Sequence, residues 1–212
     1  MVIQMKKRKI KFKNISILIL VVLFVILFIC LKDIFSSLKN NGAKELVILD
    51  TIKGYDYELN ENDSKYFTEL FSELKTNLES KNVDEEKYAE SISKLFVIDF
   101  LSLEGAVNKN DVGGVQFVYE SYQESFIKKA KDTIYRYVEN NIYGKRTQEL
   151  PNVVEVNVTN LENIIYEGTK EKDKKAYKVT LEVIYEKDLG YQKEVNLTLI
   201  HNDKKLEIAE ME

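Results

Sequence analysis

The chain has 212 residues, 44% of them hydrophobic and 31% charged, with a formal net charge of −4. This is the composition of a folded chain, which excludes wholesale disorder, and the length suffices for one well-buried core. The charge is uneven: of 31 basic and 35 acidic residues, residues 1–41 hold eight basic and only Asp33, which leaves 23 basic and 34 acidic residues and a net of −11 beyond them. An acidic body of this kind excludes nucleic acid as the expected partner and should be repelled by anionic head groups.

Lys6, Lys7, Arg8, Lys9, Lys11 and Lys13 make residues 1–14 a basic tail. Residues 15–31 (ISILILVVLFVILFICL) follow without a charge. As a helix they would span roughly 26 Å, close to the roughly 30 Å hydrocarbon core, and a snorkelling Lys32 can extend the reach. A soluble core helix would keep a polar face over four turns, and this segment has none. The basic tail places its N-terminus in the cytoplasm. We therefore expect an uncleaved signal anchor in contact with the lipid bilayer through residues 15–31, a connector over 32–44 and an extracytoplasmic domain over 45–212. Two alternatives stay open. Cleavage would fall near Phe35, Ser36 and Ser37, where small residues first occur. Lipidation would use Cys30, although Ile29 is the wrong shape for a lipid box. Cys30 is the sole cysteine, so the domain has no disulfide and depends on its core.

Within the domain, residues 45–50 (ELVILD) read as a strand or the foot of a helix, and residues 54–59 alternate like an exposed strand. Asn62 and Asp63 offer N-caps for a first helix with Phe67, Leu70, Phe71, Leu74 and Leu78 as one apolar stripe. A second helix begins at Asp84, with Glu85 and Glu86 at its positive end and a stripe of Tyr88, Ile92, Leu95 and Phe96. Residues 94–103 are apolar nearly throughout and should be deeply buried. Residues 108–114 (NKNDVGG) break the chain, and 115–119 form a short strand or an extended lead-in. Ser121 and Glu124 fit a capping box for a third helix carrying Phe126, Ile127, Ala130, Ile134, Tyr137 and Val138 and ending near Asn140 and Asn141. Pro151 blocks any continuation.

From Asn152 the period becomes 2. Val154, Val156 and Val158 alternate, with a bulge near Asn160. After a polar turn at 168–174, Tyr177, Val179, Leu181, Val183 and Tyr185 share a face. Turns at 188–190 and 202–203 lead to Val195, Leu197, Leu199 and then Leu206, Ile208 and Met211. These are long strands on short turns, an antiparallel meander of three to four strands. The domain is thus α+β: two to three helices packed on one face of the sheet, the other face wet.

Candidate contact residues are few. Asn110, Asp111, Val112, Gly113 and Gly114 form the most distinctive loop, because adjacent glycines permit positive φ and close backbone approach to a ligand or partner. A plain connector is the competing reading, and the lysine of a phosphate loop is missing. Asp99 lies in an apolar run, where a raised pKa would suit acid or base chemistry. Tyr135, Tyr137 and Tyr143 suit a pocket or an interface. His201, the single histidine, sits at a hairpin end and reads as structural or solvated. No metal-ligand cluster, cofactor motif or catalytic constellation is expected.

The order of elements resembles the NTF2-like (cystatin-like) architecture, with helices ahead of a curved antiparallel sheet. An N-terminal signal anchor joined to such a domain resembles the VirB8-like components of bacterial secretion and conjugation machines. Residues 88–100 (YAESISKLFVIDF), 110–118 (NDVGGVQFV) and 137–141 (YVENN) also resemble an uncharacterised group of membrane proteins of low-GC Gram-positive bacteria. The resemblance implies a non-enzymatic scaffold that contacts other envelope proteins, with a homo-oligomer compatible. The alternative is a small-ligand-binding or sensor module using an NTF2-like pocket, and third comes a hydrolase or isomerase acting through Asp99.

Overall fold

A computed structural model describes residues 47–169 and 171–212. The basic tail, the anchor with Cys30, the connector and the first two residues of the domain lie outside the described residues. Among the described residues no helix is long and apolar enough to cross a membrane. They belong to a single compact unit and are α+β. A hairpin of β1 (Ile48–Ile52) and β2 (Tyr57–Asn60) leads to α1 (Lys65–Leu78) and α2 (Glu85–Leu101). The short α3 (Gln123–Asp132) then precedes β3 (Val153–Glu167), β4 (Lys172–Tyr185), β5 (Glu194–Asn202) and β6 (Lys205–Met211). These last four form an antiparallel sheet in the order β3-β4-β5-β6.

Both long helices form where the apolar spacing places them. All five expected stripe residues of α1 are buried. In α2 burial spreads from Tyr88, Ala89 and Ile92 to nearly the whole last turn and a half, so this helix is the central strut of the core. Asp84 caps it, its carboxylate accepting from the Lys87 amide at 3.2 Å. The cap of α1 is Ser64, whose hydroxyl accepts from the Phe67 amide at 3.1 Å, and not Asn62 or Asp63. Asp63 spends its carboxylate on the Asn60 amide at 2.6 Å, closing the turn out of β2.

The third helix departs most from expectation. The capping box at Ser121 and Glu124 does not form: Glu120–Tyr122 is a 3-10 turn, and α3 stops at Asp132. Its start is displaced because Val118 pairs with Ile208 at the free edge of β6 and the Tyr119 amide donates to the Ile208 carbonyl at 2.9 Å. Its end comes early because the Tyr135 amide reaches back to the Ala130 carbonyl, and the Tyr135 hydroxyl is drawn into the core. Val115–Phe117 is likewise a 3-10 turn rather than a strand. Within residues 54–59, Gly54 and Asp56 are exposed but Tyr57 and Leu59 are core residues, so β2 is not an exposed strand.

In β3 a bulge between Val153 and Glu155 shifts the alternation, so Val153 and Val156 are buried and Val154 faces water. The expected bulge near Asn160 is present. The inner faces of β4, β5 and β6 follow the sequence pattern. The outer face is mostly wet, but Tyr166, Ala176 and Ile200 make a small cluster there, partly covered by Tyr119, Ile164 and Ala209.

Tyrosine hydroxyls reach the two outer strands of the sheet. Tyr57 donates to the Leu206 carbonyl at 3.0 Å, and the Leu206 amide donates to Tyr88 at 3.1 Å, with the two hydroxyls 2.8 Å apart. On β3, the Val156 amide donates to the Tyr66 hydroxyl at 3.3 Å. The hairpin edge is met by Gln116, whose amide side chain bonds both the N–H and the C=O of Glu58.

Candidate functional site

The last turn of α2 receives the glycine loop. Asp99 Oδ2 accepts from the Gly114 amide at 2.7 Å. The Gly113 amide donates to the Tyr135 hydroxyl at 3.1 Å, and that hydroxyl donates to the Phe100 carbonyl at 2.8 Å. Asp99, Gly113, Gly114 and Tyr135, separated by up to 36 positions in the chain, therefore form one bonded group. Both glycines are required by contact. A Cβ on Gly113 would collide with the backbone carbonyl of Asp99. Gly114 has φ +77°, and its Cβ would lie 3.0 Å from the Phe96 ring. Asp111 stands beside the group without bonding to it: its carboxylate accepts from the Val107 amide at 2.8 Å and closes the preceding turn.

The electrostatics follow from packing. Burial pushes the Asp99 carboxyl up to about 6; the Gly114 amide offsets part of this, and the charges of Asp63 and Asp111 add to it. Burial also raises the Tyr135 hydroxyl well above its usual range. A carboxyl that titrates near neutrality has the right acidity for proton transfer, but Asp99 and Tyr135 both spend polar atoms on neighbouring backbone. Two surface grooves, of ≈ 230 Å³ between α1 and α2 and ≈ 210 Å³ beside the β4–β5 turn, lie elsewhere, and neither is lined by any of the five candidates. Both are smaller than the roughly 300–1,000 Å³ of small-molecule sites.

The chain matches no family model, no curated protein and no solved structure.

His201 is not a solvated hairpin residue. Its Nδ1 lies 2.7 Å from Asp173 Oδ2 and its Nε2 3.3 Å from Glu85 Oε2, so the ring ties β5 to β4 and to the start of α2. Burial tends to raise the Asp173 carboxyl, but the amides of His201 and Lys175 and the His201 side chain outweigh it and hold the group low. This is a structural clamp, as the residue type at a strand end allowed. Among the described residues no group of His, Cys, Asp or Glu is arranged to hold a metal ion. Glu207, which the sequence reading passed over, is buried on the outer face. It accepts from Asn202 Nδ2 at 2.8 Å and pairs with Lys205 at 3.3 Å.

The sequence singled out Tyr137 and Tyr143 for a pocket or interface but placed Tyr137 on the third helix, which ends at Asp132, and did not show the loop over residues 137–148 that carries both. Gln148 closes its base, donating to the Tyr137 carbonyl and accepting from the Glu139 amide, both at 2.9 Å. The Arg146 guanidinium donates to the carbonyls of Glu104 (2.6 Å), Ala106 (2.7 Å) and Glu139 (3.3 Å). The tip is a turn from Asn141 to Gly144, with Ile142 46% and Tyr143 87% exposed, and Tyr137 is 73% exposed near the base. The signal was present in the sequence: Tyr137 and Tyr143 stand too close to Arg136, Lys145 and Arg146 for a buried stripe.

Proposed function

We propose that this chain is a non-enzymatic scaffold or assembly protein of a bacterial cell envelope, held by one anchor at residues 15–31 with its C-terminal domain outside the cytoplasm. The observation that carries the reading is the self-satisfied state of the candidate site. Asp99 Oδ2 accepts from the Gly114 amide, the Tyr135 hydroxyl accepts from the Gly113 amide and donates to the Phe100 carbonyl, and among the described residues no buried side-chain polar atom lacks a partner. A catalytic or ligand-reading group would be expected to keep a polar atom turned toward open space.

Apart from the β1–β2 hairpin, helices ahead of a four-stranded antiparallel sheet support an NTF2-like domain, and the uncharged apolar run over residues 15–31 supports the single anchor of a VirB8-like layout. Where a sensor would need a cavity, Phe71, Leu74, Phe96, Leu181 and Leu197 fill one shared core, which weighs against the ligand-binding alternative. Exposed Tyr137, Ile142 and Tyr143 on the 137–148 loop give the domain a contact surface of its own.

The test is Asp99→Asn in the full chain. A scaffold predicts that the variant complements a deletion strain and captures the same partners as wild type. Loss of complementation by a variant at least as stable as wild type, with unchanged capture, would overturn the scaffold and favour acid–base chemistry at Asp99.

A further inference from the structure

The acidic average of the domain hides one basic stretch. Residues 126–148 hold Lys128, Lys129, Lys131, Arg136, Lys145 and Arg146 against Asp132 and Glu139, in a body whose net charge is −11. Arg146 is spent on the carbonyls of Glu104, Ala106 and Glu139. Elsewhere Lys75, Lys187, Lys193 and Lys205 each face a carboxylate. Lys128, Lys129, Lys131, Arg136 and Lys145 form no ion pair among the described residues. The Arg136 guanidinium instead lies 5.3 Å over the Tyr137 ring. Unpaired cations on α3 and at Arg136 and Lys145 are therefore close in sequence to a preformed loop with Ile142 and Tyr143 at its tip.

We infer that the 137–148 loop, with Lys128, Lys129, Arg136 and Lys145, is a docking surface for an anionic lipid bilayer, into whose head-group layer Ile142 and Tyr143 insert. Charge complementarity selects an anionic partner. The form of the tip selects a bilayer over a protein. Two apolar side chains at the apex of a turn make a wedge, and tyrosine suits the boundary because its ring is apolar and its hydroxyl stays wet. The hydrogen bonds of Arg146 and Gln148 fix the loop before contact, so docking orders little new chain. The global acidity that repels head groups is thus locally reversed, and it would hold the rest of the domain away from the surface while the loop touches it.

The chain contains no tryptophan, so Tyr143→Trp places a single fluorophore at the tip. Tyr143 is almost fully exposed, so the variant should fold as wild type does, and Ile142→Trp provides a second reporter. The full chain is mixed with phosphatidylcholine vesicles or with equimolar phosphatidylcholine and phosphatidylglycerol, each with and without brominated lipid. In the anionic vesicles the tip tryptophan should shift to the blue and be quenched by brominated lipid, while Ile165→Trp on β3 should not. Changing Arg136 and Lys145 to Gln should reduce the docked population about fivefold per charge. Solvent-like emission at both tip positions in anionic vesicles would overturn the inference. So would a blue shift seen only in membranes from expressing cells and never in pure lipid, which would assign the surface to a protein. Alkaline extraction separates this result from the anchor: retained chain without quenching refutes the docking alone, and quenched chain that extracts refutes the anchor alone.

Discussion

Asp99 sits where its fold makes it a worse anion than it is in the unfolded chain. Burial pushes its carboxyl up to about 6, against about 3.9 for an aspartate in water. Below about pH 4 the group is neutral in both states and costs nothing. As pH rises through 6 the folded state must either hold a proton or bury a charge, so stability falls across this window and stays lower above it. Two pH units correspond to at most about 3 kcal/mol. Asp99→Asn keeps a carbonyl oxygen for the Gly114 amide and has no charge to bury. We expect it to be more stable than wild type by about 1–3 kcal/mol at pH 7 and equal to it near pH 4, measured by chemical denaturation at both values. A wild-type protein that is the more stable at pH 7 would show that Asp99 is not desolvated.

At the scale of elements, what was legible in the sequence was what is local. The stripe from Phe67 to Leu78 and the alternation from Tyr177 to Val183 each record one face of one element, and both are buried as spaced. The cap at Asp84 was legible because the acidic first turn follows it directly. The cap of the first helix was not, because Asn62, Asp63 and Ser64 are all capable, and a competing demand, the Asn60 amide three residues back, takes Asp63 away. The third helix failed for the same reason at longer range: its ends are set by Ile208 and Phe100, which no local pattern mentions. Among the candidate residues, the glycines announced a close approach, but what they approach is the protein's own helix. Arg146 was invisible because its three acceptors are backbone carbonyls. Arg146→Met keeps the stem and removes the donors, and at a cost of about 1–3 kcal/mol for the carbonyls left unpaired it should loosen residues 137–148 locally. Hydrogen exchange should quicken in that loop and stay unchanged in β4 and β5. Unchanged exchange at 137–148 would mean that Gln148 and the tip turn suffice.

At the scale of the whole molecule, the proposed arrangement makes a sided prediction. Protease added to intact cells stripped of their wall should remove the domain and spare residues 1–14. A mature chain beginning near Ser37, or lipid on Cys30, would replace the uncleaved anchor with one of its alternatives. Strands at the margin of a sheet ordinarily offer a template on which another chain can pair. Here the outward backbone groups of Leu206 and Ile208 on one margin, and of Val156 on the other, are already occupied by Tyr57, Tyr88, Tyr119 and Tyr66, and bulges interrupt the rest of β3. Copies of the domain crowded together therefore have no ready way to fuse into a continuous sheet. An assembly made from them would be held by side chains, of limited size and reversible, and a fibrous form would first have to break those tyrosine bonds.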